Sequence, residues 1–491
     1  MTRNPIKQLA GETAVYGLST VLARVLNFFF VPLYTRMLST AHYGTVTEFM
    51  AYIAILQVVL SMGLETGCFR FANKHDRPDH VFSSALTTVL TLSLFVLGMC
   101  LIFARPIASG LGYAGYGNCV VYMGAILAMD NFTSILFARL RFEHKALQFA
   151  LFKTIKISGE LLFNILLFFT LPAYLQQHPD FFMRYLVSAT PDFSYVLFAI
   201  FLSCVLSLLL FIPRLFKKGS FRFNPHLWKS MLIYALPLML AGLPGILNDF
   251  SDRILFRFFT PESHVWQSDL GIFQAGVKLS VLMTLFIQMF RFAAEPFFFA
   301  QAKEQQNRAL YAQVLNYFTA FCMLIFLGVM LYIDLIGLII GPSFRAGITV
   351  VPIMLFAYLL LGMSFNISIW YKLSEKTSYA LYITCAGLVV TLVVNILFMP
   401  RYGYTAAAWA HLLSYTVILG LNIALGQKHY PVPYQWRRIG LYIVAGLMIW
   451  GVSLLLPAMP LFLKLGVHTV LIMGYLFLVW RVEREGQHSP T

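Results

Sequence analysis

The chain has 491 residues, of which 59% are hydrophobic and only 11% charged, and its formal net charge is +15. Soluble domains carry about 25% charged residues, so this composition excludes a soluble globular protein and makes lipid the solvent for most of the surface. The Lys and Arg excess sits in short loops between apolar runs, as in a positive-inside membrane protein that also attracts anionic headgroups, and no basic stretch interleaves aromatics as nucleic-acid sites do.

The N-terminus, MTRNPIKQLAGET, is short and polar and leads into an apolar run without a small-residue cleavage site, which predicts a retained first helix. A helix needs about 20 apolar residues to cross the bilayer core. On that scale the chain predicts about fourteen spans, at 13–36, 44–70, 81–103, 114–137, 149–172, 190–213, 229–253, 270–299, 312–333, 348–371, 378–398, 404–426, 438–456 and 461–480. Fourteen spans place Arg3, Lys7, Lys74, Arg77, Arg139, Arg141, Lys145, Arg214, Lys217, Lys218, Arg222, Lys303, Arg308, Lys372, Lys376, Lys428, Arg437, Arg438, Arg481 and Arg484 on one side. The other side receives fewer, among them Arg36, Arg105, Arg184, Arg257, Arg345 and Arg401. The bias keeps one sign along the chain, which predicts that both termini are cytoplasmic. The basic loop 214–228, RLFKKGSFRFNPHLW, divides the spans into an N-lobe over 1–213 and a C-lobe over 229–426, with helices 13 and 14 and a tail in 427–491. The largest external loop lies around 173–189. The fold expected is an all-α integral membrane protein, two six-helix lobes around a central cavity plus two C-terminal helices. A weak internal repeat links the junction PLYTRMLSTAHYGTVTEFMAY to RILFRFFTPESHVWQSDLGIFQAG; repeated halves are common in alternating-access transporters.

The six cysteines lie in or beside apolar runs without a CxxC pair and read as packing residues. No GxSxG, Walker A or HExxH motif is present, so the chain reads as a non-enzyme without a cofactor. The sequons at Asn131 and Asn366 fall inside predicted helices.

Ionisable residues in a membrane span are expensive and by default functional. Arg24 sits in the middle of helix 1, on a face with Thr13, Gly17, Thr20, Asn27 and Tyr34. Helix 2 aligns Gln57, Ser61 and Glu65; helix 5 aligns Lys153, Lys156, Glu160 and Asn164; helix 8 aligns Gln274, Lys278, Gln288, Arg291 and Glu295. Such stripes at helical spacing avoid lipid by facing one another. Asp249, Asp252 and Arg253 also read as structural ion pairs, and Arg70 and Glu48 as helix-end residues that snorkel. In helices 9–14, Asn316, Asn366, Asn395, His411 and Asn422 read as interhelical hydrogen-bond partners. The cations Arg24, Lys153, Lys156, Lys278 and Arg291 suit a pyrophosphate, while the amides suit sugar hydroxyls. Prolines at Pro237 and Pro244 mark helix 7 as the most breakable.

The opening GLSTVLARVLNFFFVPLYTRMLSTAHYG, the segment YALPLMLAGL from Tyr234, SDR at 251–253, DLGIFQAGVKLS from Asp269 and YGYTAAAWAHLLSY from Tyr402 resemble polysaccharide exporters of the multidrug/oligosaccharidyl-lipid/polysaccharide exporter superfamily. The resemblance implies an O-antigen-type flippase that moves undecaprenyl-pyrophosphate-linked oligosaccharide to the outer leaflet of a bacterial inner membrane by alternating access. It implies a pyrophosphate contact at Arg24 and, less directly, at the lysines of helices 5 and 8. Coupling to a H+ or Na+ gradient through Glu65, Glu160 or Glu295, or to the membrane potential, is expected, as are glycan polymerase or glycosyltransferase partners. A cation-coupled multidrug antiporter of the same fold is the alternative, although its cavity should be acidic. The topology has a direct check. A cysteine placed at Ser220 is expected to react with an impermeant thiol reagent from the cytoplasmic side alone, and labelling from outside would invert the helix count.

Overall fold

The computed structural model describes residues 17, 19–74, 77–178, 180–188, 190–215, 223–302, 308–457 and 459–488. The first helix, α1, runs over 19–28 and, after a one-residue turn, over Phe30–Met37. It is followed by α2 (Thr40–Ala72), α3 (Pro78–Ile102), α4 (Gly117–Phe142), α5 (Ala146–Gln177), α6 (Phe193–Leu215) and α7 (Pro225–Phe259). Then come α8 (Trp266–Leu279 and Val281–Ala302), α9 (Arg308–Leu331), α10 (Pro342–Leu373), α11 (Ser378–Tyr402), α12 (Tyr404–His429), α13 (Trp436–Leu454) and α14 (Leu461–His488). Among the described residues, twelve helices are long and apolar enough to cross a membrane, and the bent α8 makes a thirteenth span. They match the predicted spans from the second onward. The start of the predicted 13–36 span lies outside the described residues. A helix rises about 1.5 Å per residue, so 25 residues cover roughly the 30 Å hydrocarbon core with a turn to spare.

Local chemistry sets the helix ends. Ser39 caps α2, its side chain accepting from the His42 N–H at 3.2 Å. Pro78 sits at the start of α3, where its missing N–H costs nothing. Two predicted straight runs are not straight. In α2, Met62 (φ 48°) and Gly63 (φ 66°) adopt left-handed backbone and divide the helix. A Cβ on Gly63 would lie 2.7 Å from the Ala235 carbonyl oxygen of α7, so only glycine fits there. In α8 the two segments meet at 51° around Ser280. The helix predicted to break, α7, instead runs unbroken through Pro237 and Pro244. The missing amide bonds are tolerated in a span where neighbouring groups and local adjustment satisfy the freed carbonyls.

Contacts divide the chain into two compact units, Met1–Ile254 and Leu255–Thr491. The basic stretch 214–228, the boundary expected from the sequence, lies within the first unit, and its residues 216–222 fall outside the described residues. The first unit is knit by a buried cluster that includes Leu64, Phe82, Leu136, Phe211 and Met231, contributed by α2, α3, α4, α6 and α7. The second unit has one cluster around Phe256, Phe273, Met354 and Met399 and another around Phe298, Tyr311 and Ile369. All six cysteines are free, and five of them are buried as small packing groups.

The tightest contact in the second unit is backbone on backbone. A Cβ on Gly276 would lie 2.1 Å from the Gly347 carbonyl oxygen, and one on Gly347 would lie 2.2 Å from that of Ile272. Backbone cannot rotate away as a side chain can. Gly276→Ala is therefore expected to cost about 1–3 kcal/mol, read as a lower Tm in detergent. Gly328→Ala, whose methyl would meet nothing within 4 Å, is the control and should leave Tm unchanged or raised. Equal Tm values for the two variants would refute the close approach.

Candidate functional site

The site in the first unit is built where α1 meets α5. The Lys153 Nζ donates to Thr20 Oγ1 at 3.3 Å, and the Tyr34 hydroxyl donates to Asn164 Oδ1 at 3.0 Å. Both contacts advance in the same direction along the two chains, so α1 and α5 run parallel. Two odd-numbered spans should do so in the predicted topology. Asn164 is fully buried and its amide also donates to the Glu160 carbonyl at 2.8 Å. Arg24 lies one turn beyond Thr20 on the same face and is exposed, as is Asn27. Lys153 is within electrostatic reach of Arg24, Arg141 and Lys156. Its own hydrogen bond is to a hydroxyl, and its ammonium lies 5.5 Å from the Phe149 ring. The polar faces of α1 and α5 thus gather like charges in a setting where like charges repel strongly.

The neighbouring cations Lys156 and Arg141 form ion pairs. Lys156 pairs with Asp130 of α4 at 2.5 Å, and Cys204 of α6 donates its thiol to the same carboxylate at 3.2 Å. Glu160 lies within electrostatic reach of both Lys156 and Asp130. The residue the sequence reading missed is Asp130. Its signal was available, an acid in the middle of the apolar run AILAMDNFTSILF, but the segment stood out for its sequon alone. Arg141 forms an ion pair with Glu65 of α2 and lies over the Phe69 and Phe149 rings at 5.2 and 5.7 Å. Gln57, on the same predicted stripe, is half-buried.

Below this face the helix ends carry a charge hub on Glu143, which receives Arg139 at 2.8 Å, Lys145 at 2.5 Å and Arg214 at 3.1 Å. Burial works against the Glu143 carboxylate, but Lys145 and Arg139 outweigh it and hold it below the ordinary carboxylate range. The hub's contribution to stability is present above the unfolded value and is lost only as pH falls through the lowered one.

Glu48 takes a different place from the one expected and does not snorkel. It is fully buried, and its two carboxylate oxygens accept from Tyr52 at 2.8 Å and Tyr113 at 2.5 Å. Two phenol donors satisfy the carboxylate inside the bundle, so it has no need of water. Arg70 is exposed but stacks on Tyr234 at 4.0 Å. Asp252 is buried, and Arg253 stacks on Phe250 at 4.3 Å.

In the second unit the bend of α8 splits the predicted stripe. Gln274 is buried and Lys278 exposed on the first segment; Gln288 is half-buried and Arg291 exposed on the second. Arg291 lies over the Phe365 ring at 4.2 Å. The Glu295 side chain lies outside the described residues. Two of the neutral amides expected as interhelical partners reach other elements, whereas Asn395 donates to the Thr391 carbonyl of its own helix at 2.9 Å. Asn316 donates to Gln435 at 2.7 Å and Asn422 to Ser364 at 2.8 Å. His411 is buried with its ring 5.7 Å from that of Tyr415.

A chain of this many apolar helices, unlinked by strands among the described residues, is a multi-span membrane protein with an all-α transporter fold. Its residues 9–302, more than half of its length, match the family model described as polysaccharide biosynthesis protein, and the chain belongs to that family. It is 20% identical over 456 residues to the probable low-salt glycan biosynthesis flippase Agl15 of Haloferax volcanii, covering 90% of this chain and 89% of the relative. The fold is similar to that of the lipid II flippase MurJ in an inward closed conformation, with a TM-score of 0.70 at 11% identity over 95% of this chain and 98% of that one. It is also similar to a MATE structure in a bent conformation, with a TM-score of 0.58 at 14% identity over 90% and 97% of the two chains. A MOP superfamily transporter from Pyrococcus furiosus gives 0.56 at 14% identity over 89% and 96%.

The Lys156–Asp130 pair offers a clean test of what holds this face. Lys156→Met leaves a carboxylate stranded in the bundle and is expected to destabilise by up to about 3–5 kcal/mol. The double variant Asp130→Leu with Lys156→Met should recover most of the lost Tm. If the double variant is no more stable than Lys156→Met alone, the two residues are not coupled.

Proposed function

We propose that this protein is a flippase that carries a polyprenyl-pyrophosphate-linked oligosaccharide, of the undecaprenyl type, from the cytoplasmic to the outer leaflet for cell-surface polysaccharide synthesis. The observation that carries the reading is the gathering of Arg24 and Lys153, with Arg141 and Lys156 beside them, on one face of the first unit. Arg141 and Lys156 are paired with Glu65 and Asp130, and the excess of basic over acidic groups on this face favours an anionic ligand. A pyrophosphate supplies that charge, and Arg24 offers it a planar two-pronged donor. Lys156 is committed to Asp130, so its role is to position the face. Lys278 and Arg291 offer two further cations in the second unit, and Asn27, Gln57, Gln274 and Gln288 offer hydrogen bonds to sugar hydroxyls. The family match and the names carried by Agl15 and MurJ support the same reading. The likeness to MATE structures favours a drug antiporter as the second reading, but a basic face is a poor host for cationic drugs.

The motion is alternating access in the cell membrane, a bacterial inner membrane with both chain termini cytoplasmic, alongside glycosyltransferases and a glycan polymerase. The driving force is an H+ or Na+ gradient or the membrane potential. Glu160 is the carboxylate best placed to couple it. Glu65 is held by Arg141, whereas Glu160 shares Lys156 with Asp130, so two acids compete for one base.

The experiment is flipping of a pyrophosphate-linked lipid in proteoliposomes. Arg24→Ala is expected to slow it about 10- to 100-fold, the size of one or two charge-assisted hydrogen bonds, with expression and Tm near wild type. Arg24→Lys should recover part of the rate, since a point charge replaces a fork. An unchanged rate in Arg24→Ala would overturn the site. Flipping against a concentration difference should stop when ionophores collapse every gradient, and its persistence would refute the coupling.

A further inference from the structure

At the end of the first unit remote from the Glu143 hub lies a hollow of about 650 Å³, within the range of about 300–1,000 Å³ typical of small-molecule sites. On α4, Asn118 and Arg141 are 23 residues apart, or roughly 35 Å of helix. The hollow therefore opens a full membrane thickness away from Arg141, on the predicted outer face. Its walls are the short helix Ala104–Gly110, the turn that precedes α4, the first turns of α4, and residues 185–188 of the predicted external loop.

The loop wall is built, not draped. The Leu186 carbonyl accepts from both the Asn118 amide and the Tyr122 hydroxyl at 2.6 Å, and the Tyr195 hydroxyl donates to the Ser188 carbonyl at 2.9 Å. Three side chains from the first turns of α4 and α6 thus fasten this stretch of loop to the helix ends and fix it as one wall of the hollow. The Tyr116 ring is fixed against Phe193, with centroids 4.5 Å apart. Tyr185 is 86% exposed at the rim. Among the described residues, the polar side chains of the lining are Arg105, Ser109, Tyr116, Asn118, Tyr185 and Ser188, and the one carboxylate beside them, Asp192, lies behind the wall against the Tyr116 hydroxyl.

We propose that this hollow is a saccharide-binding pocket that receives the glycan of the transported lipid on the outer face, with a preference for glycans that carry an acidic sugar. Flat aromatic faces suit the apolar face of a sugar ring, and hydroxyls and amides suit its ring hydroxyls. Arg105 supplies a charge-assisted donor that a uronate carboxylate can accept from bidentately. The pocket rests on the flippase reading, and it adds to it a place where the headgroup is held once it has crossed. A pocket at the exit favours the crossed state by its differential affinity for that state alone.

The test uses the full chain in nanodiscs and two soluble probes, trigalacturonic acid as the acidic trisaccharide and maltotriose as the neutral one. Saturation transfer from protein to sugar protons is measured by NMR. Transfer to trigalacturonic acid is expected, with affinity reduced about threefold to tenfold by Arg105→Ala and by Tyr185→Ala, the size of one lost contact. Both side chains are exposed, so the variants should keep the wild-type Tm. Maltotriose should bind more weakly and be indifferent to Arg105→Ala. Absence of transfer to either sugar, or equal transfer in wild type and both variants, would overturn the pocket. Equal binding of the two sugars would overturn the acidic preference. The flippase reading is scored separately, by the proteoliposome rate of the wild-type protein. Normal flipping without sugar binding removes the pocket alone, whereas sugar binding without flipping removes the transport reading.

Discussion

Every charged side chain inside a bilayer needs a partner supplied by the protein or by a ligand, because the hydrocarbon offers none. That constraint organises the first unit. Glu48 is buried against Tyr52 and Tyr113, while Glu65 pairs with Arg141 and Asp130 with Lys156 and Cys204. The Glu65–Arg141 and Asp130–Lys156 pairs join α2 to α4 and α4 to α5, so these ionic contacts also set which helices are neighbours. On the same face the fold also brings the cations Arg24 and Lys153 within electrostatic reach of one another. An anion bound beside them lowers the cost of that proximity. This difference in energy between the empty and bound states is the property a binding site needs.

The second unit meets the same constraint with neutral groups. Asn316 with Gln435 and Asn422 with Ser364 cross between helices as amide and hydroxyl pairs, a mode of helix association worth about 0.6–2 kcal/mol per bond in membranes. The last two helices are tied in by ionic and polar contacts along their length, Lys464 pairing with Asp334 at the start of α14. Glu483 accepts from Tyr442 and lies 3.7 Å from Arg438, while Tyr475 donates to the Ala320 carbonyl at 3.1 Å. The two units thus use different chemistry for the same task. Charge is concentrated in the first, and close backbone packing at Gly276 and Gly347 is the mark of the second.

The functional reading and the outer pocket depend on one another geometrically. A carrier of a lipid-linked headgroup must hold charge within the bilayer and release it on the far side. The first unit carries a cationic face along α1 and α5 and, at the far end of α4, a neutral-to-basic hollow lined by aromatic and hydroxyl groups. The Glu143 hub at the opposite end, with Arg139, Lys145 and Arg214, carries the positive charge expected of the cytoplasmic side.

Composition and apolar run length decided the membrane class, the helix count and the places of the helices, because burial in lipid depends on averages over about 20 residues that any single substitution barely changes. The same signal picked out Arg24 and the α5 stripe, since a charge in an apolar run is visible without a structure. Pairing was not legible. Lys156 reads identically whether it faces a phosphate or Asp130, and Glu48 reads identically whether it snorkels or is buried between two tyrosines. Which of these holds depends on helices brought together from distant parts of the chain. The bend at Ser280 and the continuity of α7 through two prolines were likewise not legible, and the break at Gly63 meets the Ala235 backbone of a helix distant in sequence. Helical periodicity specifies which face of a helix is polar, and only the tertiary structure specifies what that face meets.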